Sequence, residues 1–442
     1  MSPGLEHRAL SCLIIHHESI RHHIRPLYTL DEIRGVREFL IARGTLDFKP
    51  LPTGLFPAAG LDPAAAARSG YGNVWVRDNV YVALAHEAAG QIDAARTAIQ
   101  ALASFFMKYR SRFELIVEGR ASPSPANRPQ VRFDGLNLAE NATSWSHAQN
   151  DALGYFLWMY CRLAGNGHLA PNPDLLALFV LYFEAIRYWE DEDSGHWEER
   201  RKVEASSIGP VLAGLQALRS LFGRGGLPPG QFGSRIVSLD DIDRLIAQGS
   251  QALSAILPAE CIQSDPHKFR RYDAALLFLA YPLNIVDESM SRQIVKDVQE
   301  KLQGEYGIHR YLGDSYWTAD YKDKVAPGSL TADVSEHQED RDALAKPGEE
   351  AQWCIFDPII SVIAGHRYLV TGNASDLEEQ VHYLNRSLGQ ITGPDCPQGE
   401  LRCPEAYYLE RGRYVSNDHV PLLWTQANLL LALLAMEKSA AR

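Results

Sequence analysis

The chain has 442 residues, 46% of them hydrophobic, with 55 acidic side chains against 43 basic ones and a formal charge of −12. That length and apolar content suit one large domain or two of common size. The acidic balance argues against a general nucleic-acid binder, which needs a basic footprint, and leaves a neutral ligand such as a sugar admissible.

Residues 1–25 read as a peripheral arm. Its apolar run, LSCLII, is cut short by two histidines, so no export segment is predicted. No apolar window of about 18 residues exists to cross a bilayer. A cytoplasmic protein with no membrane partner is therefore expected. The four histidines of HHESIRHH (16–23) read as adventitious metal ligands at most.

A succession of amphipathic helices follows. LDEIRGVREFLIAR (30–43) places Ile33, Val36 and Leu40 on one face. Helices are then predicted over 80–90, 91–110, 146–165, 173–191, 203–223, 241–257, 268–281, 290–302, 353–370, 374–389 and 420–438. PDLLALFVLYFEAIRYWED (173–191) is apolar nearly throughout, as a deeply buried helix should be. No strand-like alternation recurs between helices, which disfavours a βα barrel. FGRGGLPPG (222–230) is glycine-rich but lacks the Lys-Ser/Thr of a phosphate loop and reads as a turn.

Three long gaps, 113–144, 311–352 and 389–420, hold Trp, Tyr, Arg and Glu. Loops of that length in a compact domain are usually functional or disordered, and this composition suits a binding rim. No low-complexity linker divides the chain, so residues 1–442 read as one domain. Cys12, Cys161, Cys261 and Cys354 read as buried thiols. Cys396 and Cys403, in CPQGELRC, could form a loop disulfide, but the reduced state is expected. CxxC spacing is absent, so no structural zinc is predicted.

At GLFPAAG (54–60) and YGNVWVRDNVYVAL (71–84) the chain begins to resemble a known family. Four blocks carry the likeness in order: Trp75–Tyr81, Gln149–Gly154, Trp197–Glu198 and Pro404–Tyr408. Together they resemble the glucoamylase-like glycoside hydrolases of family 15. The closer similarity is to the branch containing the amino-terminal domain of phosphorylase kinase regulatory subunits and bacterial relatives. The resemblance implies an all-α fold, an (α/α)6 toroid of six outer and six inner helices, with the active site at one mouth. It implies an inverting, exo-acting α-glucoside hydrolase with no cofactor and no metal, whose partner is a disaccharide or oligosaccharide substrate.

The same resemblance assigns residues. Trp75, Arg77 and Asp78 match a sugar-binding block. Trp145 and Asp151 match a W-x-x-x-Q-x-D block bordering the catalytic acid. Glu198 matches the general acid, flanked by Trp197, and Glu199 a carboxylate that helps bind sugar. Arg310 and Asp314, in HRYLGD, match a terminal-sugar block. Trp353 matches an aromatic following the intervening loop, and Glu405 the general base. His147 and Ala148 depart from the Arg-Pro of fungal glucoamylases, and the 315–352 loop is long and charged.

The chemistry asks for this division. An inverting glycosidase needs an acid for the leaving oxygen and a carboxylate for water on the other face. A desolvating tryptophan and a like charge beside Glu198 both raise a carboxyl pKa, the direction an acid needs. Without the block order, Glu198 in WEDEDSGHWEERR would read as a solvated surface charge. Glu336, Glu349, Glu350 and Glu410 are rival bases to Glu405, and Trp317 is a further candidate for sugar stacking. The alternative function is a sugar-binding or regulatory module that keeps the toroid without turnover.

Overall fold

The computed structural model of the protein describes residues 13–223, 230–232 and 235–442. Most of the glycine-rich turn expected at 222–230 lies outside these residues, as does Cys12. A reciprocal capping box between Thr29 and Glu32 starts α1 (Leu30–Ala42). In chain order there follow α2 (Val76–Ala88), α3 (Ile92–Lys108), α4 (Asn150–Gly165), α5 (Pro173–Ala185) and α6 (Ala205–Gly223). The second half contributes α7 (Leu239–Ile256), α8 (Leu277–Ala280), α9 (Glu288–Lys301), α10 (Asp357–Thr371), α11 (Ala374–Gly389) and α12 (Leu423–Ala440).

The even-numbered helices form a closed inner ring: α2 packs on α4, α4 on α6, α6 on α8, α8 on α10, α10 on α12, and α12 back on α2. The odd-numbered helices lie outside. Burial follows this order. In α2 every residue from Val76 to His86 is buried, whereas α1 buries only the predicted stripe of Ile33, Val36 and Leu40. The outer α5 is an exception, buried from Leu175 to Phe183 because a short helix, Ser111–Val117, packs over it. The whole is an (α/α) toroid.

Glycine sets the closest approach in the ring. A Cβ on Gly154 of α4 would lie 2.4 Å from the Pro210 carbonyl carbon and the Val211 nitrogen of α6. The glycine of the QNDALG block is thus a contact between inner helices.

The predicted helix over 268–281 shrinks to the single turn of α8. Phe269–Arg270 instead pairs as a strand with Cys261–Ile262, and Asp273 accepts from Ala275 N–H at 2.9 Å to start a tight turn. Pro282 ends it, since the residue before a proline is driven out of the helical region, and Tyr281 is extended. The helix expected from 353 begins at Asp357. Trp353 lies in β1 (Gln352–Trp353), which joins β2 (Ala406–Glu410) and β3 (Arg413–Ser416) in an antiparallel sheet of that order. The register puts Trp353 opposite Ala406.

The described part of the amino-terminal arm is docked rather than free. His16 donates its backbone N–H to Gly389 at 3.2 Å and stacks on Tyr407 at 4.3 Å, and Ile20 is buried. The bare Cα of Gly389 admits the chain: a Cβ there would meet the Ile14 carbonyl at 2.3 Å. Cys161, Cys261, Cys354, Cys396 and Cys403 are free thiols, so the loop disulfide does not form. Among the described residues no helix is long and apolar enough to cross a membrane.

Candidate active site

A pocket of about 880 Å³, counted to its open mouth, lies where the inner helices begin. Trp75, Arg77 and Asp78 enter it from the start of α2, and Trp424 from the first turn of α12. Interhelical segments supply the rest. Trp197, Glu198 and Glu199 come from between α5 and α6, Arg310 and Asp314 from between α9 and α10, and Glu405 from the approach to β2. Trp145 and Trp353 also line it. Of the residues expected at the site, only Asp151 does not. It is fully buried behind the pocket, where its Oδ2 accepts from Arg77 at 2.5 Å, so its effect on a ligand runs through that guanidinium.

Glu198 sits on a turn that the sequence builds deliberately. Asp193 and Lys202 exchange backbone hydrogen bonds at 3.0 and 2.9 Å, closing the base of the loop. Gly195 and Glu198 both adopt left-handed backbone, φ +55° and +58°. That is unstrained for glycine and unusual for glutamate, and such outliers cluster at functional sites. A Cβ on Gly195 would collide with Glu204. The Glu198 carboxyl receives Trp75 Nε1–H at 2.7 Å and Gln149 Nε2–H at 3.0 Å, both on Oε1. Arg77 stands 3.8 Å from the same oxygen. Among the described residues no side chain or backbone group bonds Oε2. Burial raises the Glu198 pKa above the ordinary carboxylate value, against the pull of Arg77 and of the Trp75 hydrogen bond.

Glu405 is treated in the opposite way. Tyr71 O–H donates to Oε1 at 2.7 Å, His419 Nδ1 lies 2.8 Å from Oε2, and Asn417 donates to the same oxygen. Burial acts to raise this carboxyl as well. The His419 ring and the bonds from His419, Tyr71 and Asn417 outweigh it, and the pKa falls below the usual value. The Tyr71 ring stacks on His419 at 3.6 Å, its hydroxyl accepts from Tyr316 O–H 3.0 Å away, and Asn417 Oδ1 accepts from the His419 backbone N–H at 3.4 Å, so the partners of Glu405 brace one another.

Glu199 is fully engaged. Arg270 donates to its Oε1 at 2.8 Å, and Tyr311 and Gln338 donate to Oε2 at 2.5 and 2.9 Å. Although burial opposes ionisation, Arg270 and Lys202 hold it well below the usual carboxylate range. Arg310 and Asp314 form a bidentate pair with both contacts at 2.6 Å. The guanidinium lies 4.8–5.1 Å from the centres of the Trp353, Trp197 and Tyr316 rings, an aromatic clamp for a flat cation. Trp197 is fixed by its N–H, 3.0 Å from Asp273 Oδ1. Burial lifts Asp78 to about 7, although Arg77 opposes it. Polar groups beside apolar ring faces are what a pyranose offers partners to.

The other carboxylates considered as bases stand outside the pocket lining. Glu336 is paired with Arg201 at 3.6 Å on the surface, and Glu349 lies 3.7 Å from Lys346. Glu350 accepts from Gly313 and Gly348 N–H, and Glu410 accepts from Tyr408. None lines the pocket. Trp317 is wholly buried, with its ring 5.7 Å from that of His419, and offers no face to a sugar. Sequence reasoning missed Tyr71, Asn417 and His419 around Glu405, and Arg270, Tyr311 and Gln338 around Glu199. YGN and SNDHV carry no periodicity that would point at a distant carboxylate. Among the described residues no group of three or more His, Cys, Asp or Glu side chains is arranged to hold a metal ion.

Residues 44–390 match the family described as glycosyl hydrolases family 15. A probable phosphorylase b kinase regulatory subunit alpha of Drosophila melanogaster is 25% identical over 432 residues, 87% of this chain and 31% of that protein. The chain thus spans less than a third of the length of such curated relatives. A wild-type glycosidase structure superposes with a TM-score of 0.58 and 16% identity, covering 99% of both chains. A glucoamylase from Saccharomycopsis fibuligera does so with a TM-score of 0.56 and 12% identity, over 95% of this chain and 97% of the other. At these identities the two structures establish the fold.

Proposed function

The chain belongs to glycosyl hydrolase family 15, and from that premise we propose that it is an inverting, exo-acting α-glucoside hydrolase working as one catalytic unit in the cytoplasm. The observation that carries the proposal is a division of labour in one pocket: burial keeps Glu198 protonated to higher pH, and three donors keep Glu405 ionised to lower pH. Pairs of carboxyls pushed apart in this way divide into acid and base.

In this mechanism the terminal sugar lies among the Trp197 and Trp353 rings. Arg77, Asp78 and the Arg310–Asp314 pair address its hydroxyls. Glu198 gives its proton from Oε2 to the glycosidic oxygen, because Oε1 is already occupied by Trp75 and Gln149. Glu405 takes a proton from a water on the opposite face of the ring. That water attacks the anomeric carbon as the bond to the leaving oxygen breaks, and the configuration inverts. Incubation with maltose, isomaltose, trehalose and maltooligosaccharides tests the assignment. Glucose as the first small product supports it, and early mid-sized fragments from the maltooligosaccharides overturn the exo mode.

A second reading follows from the kinase regulatory subunits among the relatives: a module that binds sugar without turnover. A binding module has no need of two carboxyls with opposed protonation, which favours turnover.

A further inference from the structure

Building on the glycosidase reading, we infer that the segment from Thr331 to Arg341 is a strap across the pocket mouth that selects a short leaving group. The substrate it fits is a disaccharide or a glucoside of similar size, not the end of a long polysaccharide.

The strap is tied at both sides of the pocket. At one end Thr331 Oγ1–H donates to the Ser69 carbonyl at 2.7 Å, close in sequence to the Tyr71 that holds Glu405. At the other, Gln338 accepts from Arg200 N–H at 2.7 Å and donates to Glu199 at 2.9 Å. Arg200 also pairs with Glu339 at 2.8 Å. The segment therefore reaches from the neighbourhood of the base to the loop that carries the acid. Between these ends Ala332, Asp333 and Val334 line the same pocket as Glu198 and Glu405, and so does Arg341 just beyond Gln338. Arg341 braces the span by donating to the Ala332 carbonyl at 2.7 Å.

On this reading the strap, which lines the pocket, stands in the path of a leaving chain of many sugars and leaves room for a short one. Asp333 and Arg341, half-buried and of opposite charge, present an acceptor and a donor suited to the hydroxyls of a neutral leaving sugar. The acid and base fix the reaction, and the strap fixes what leaves.

The test compares kcat/KM of the full chain on maltose and isomaltose with that on the matching linear oligosaccharides of about five units. The disaccharides are expected to exceed the longer chains by about tenfold or more, the scale on which a mis-sized pocket discriminates. Thr331→Val, which unties one end, and Arg341→Ala, which unbraces the span, are each expected to narrow that ratio. Equal or better turnover of the longer chains by the wild type would overturn the strap. So would an unchanged ratio in both variants with folding intact by circular dichroism. Calorimetry with the same sugars separates the two levels: a flat length profile with normal binding refutes the strap alone, and no binding or hydrolysis at any length refutes the glycosidase reading along with it.

Discussion

Trp75 donates its indole N–H to Oε1 of Glu198 at 2.7 Å, although the two residues stand 123 positions apart in the chain. The bond takes up one carboxyl oxygen, and Gln149 takes the same one. The acid is thereby turned so that its other oxygen is the one available to a leaving group. A hydrogen bond to a carboxylate favours the charged form, so Trp75 also restrains the rise that burial imposes. Trp75→Phe removes that restraint. The alkaline limb of the kcat/KM profile, which reports loss of the acid's proton, is expected to move upward while kcat falls. A limb that moves downward would contradict this account of Glu198.

Glu198→Gln removes the proton donor and keeps the shape. Activity on disaccharides is expected to fall by roughly 10²–10⁴-fold, the usual contribution of a general acid. An aryl glucoside with a good leaving group should lose far less. Equal losses on both substrates would mean that Glu198 acts in binding.

His419 is expected to govern the acid limb. The Glu405 pKa lies below the ordinary value because His419, Tyr71 and Asn417 outweigh burial. A depressed base stays ionised as pH falls, so activity persists into mildly acidic solution. His419→Leu removes one of these partners, and the acid limb should move upward; His419→Gln, which keeps a donor, should restore part of the range. A pH-rate profile for each variant decides the matter, since a purely structural role would lower activity without moving the limb.

Much of what lines this pocket was legible in the sequence through the four ordered blocks that resemble a known family, and without that order Glu198 would have read as a solvated surface charge. The blocks fall at the first turns of α2 and α4, in the loop closed at Asp193 and Lys202, and at the strand leading from Glu405. Asp151 was legible as a member of its block but not as a residue one step removed from the pocket, because sequence does not say which side of Arg77 it occupies. The triad around Glu405 was hidden because Tyr71, Asn417 and His419 come from loops that meet only in the folded toroid. The α8 helix was overpredicted because AALLFLA looks helical on its own, while Asp273, Pro282 and pairing with Cys261–Ile262 shorten it.

The ring contact between α4 and α6 makes a separate prediction about stability. Gly154→Ala adds a methyl 2.4 Å from α6 backbone, where no flexible side chain can move aside. Overpacking of this kind typically costs about 1–3 kcal/mol, and chemical denaturation should show a loss of that order. An unchanged midpoint would mean that the inner ring has more slack than this approach implies.

Asp78 links stability to pH. Its folded pKa is raised to about 7 from an ordinary value of 3.8, chiefly by burial. The folded state then binds the proton more tightly than the unfolded chain, so this contribution is complete below about pH 4 and is lost as pH rises through about 7. Melting temperature is expected to fall between about pH 4 and pH 7 from this group, and less steeply in Asp78→Asn. Identical slopes in the two proteins would remove Asp78 from the linkage.

The stereochemistry of the first product tests the central claim most directly. If Glu405 activates water while Glu198 protonates the leaving oxygen, the reaction is a single displacement. Proton NMR during the first turnovers of an α-glucoside should then show β-glucose appearing before mutarotation supplies the α-anomer. With Glu405→Ala, hydrolysis should be lost while calorimetry still registers sugar binding. Initial α-glucose from the wild-type protein would contradict the assignment of Glu405 as a base acting through water.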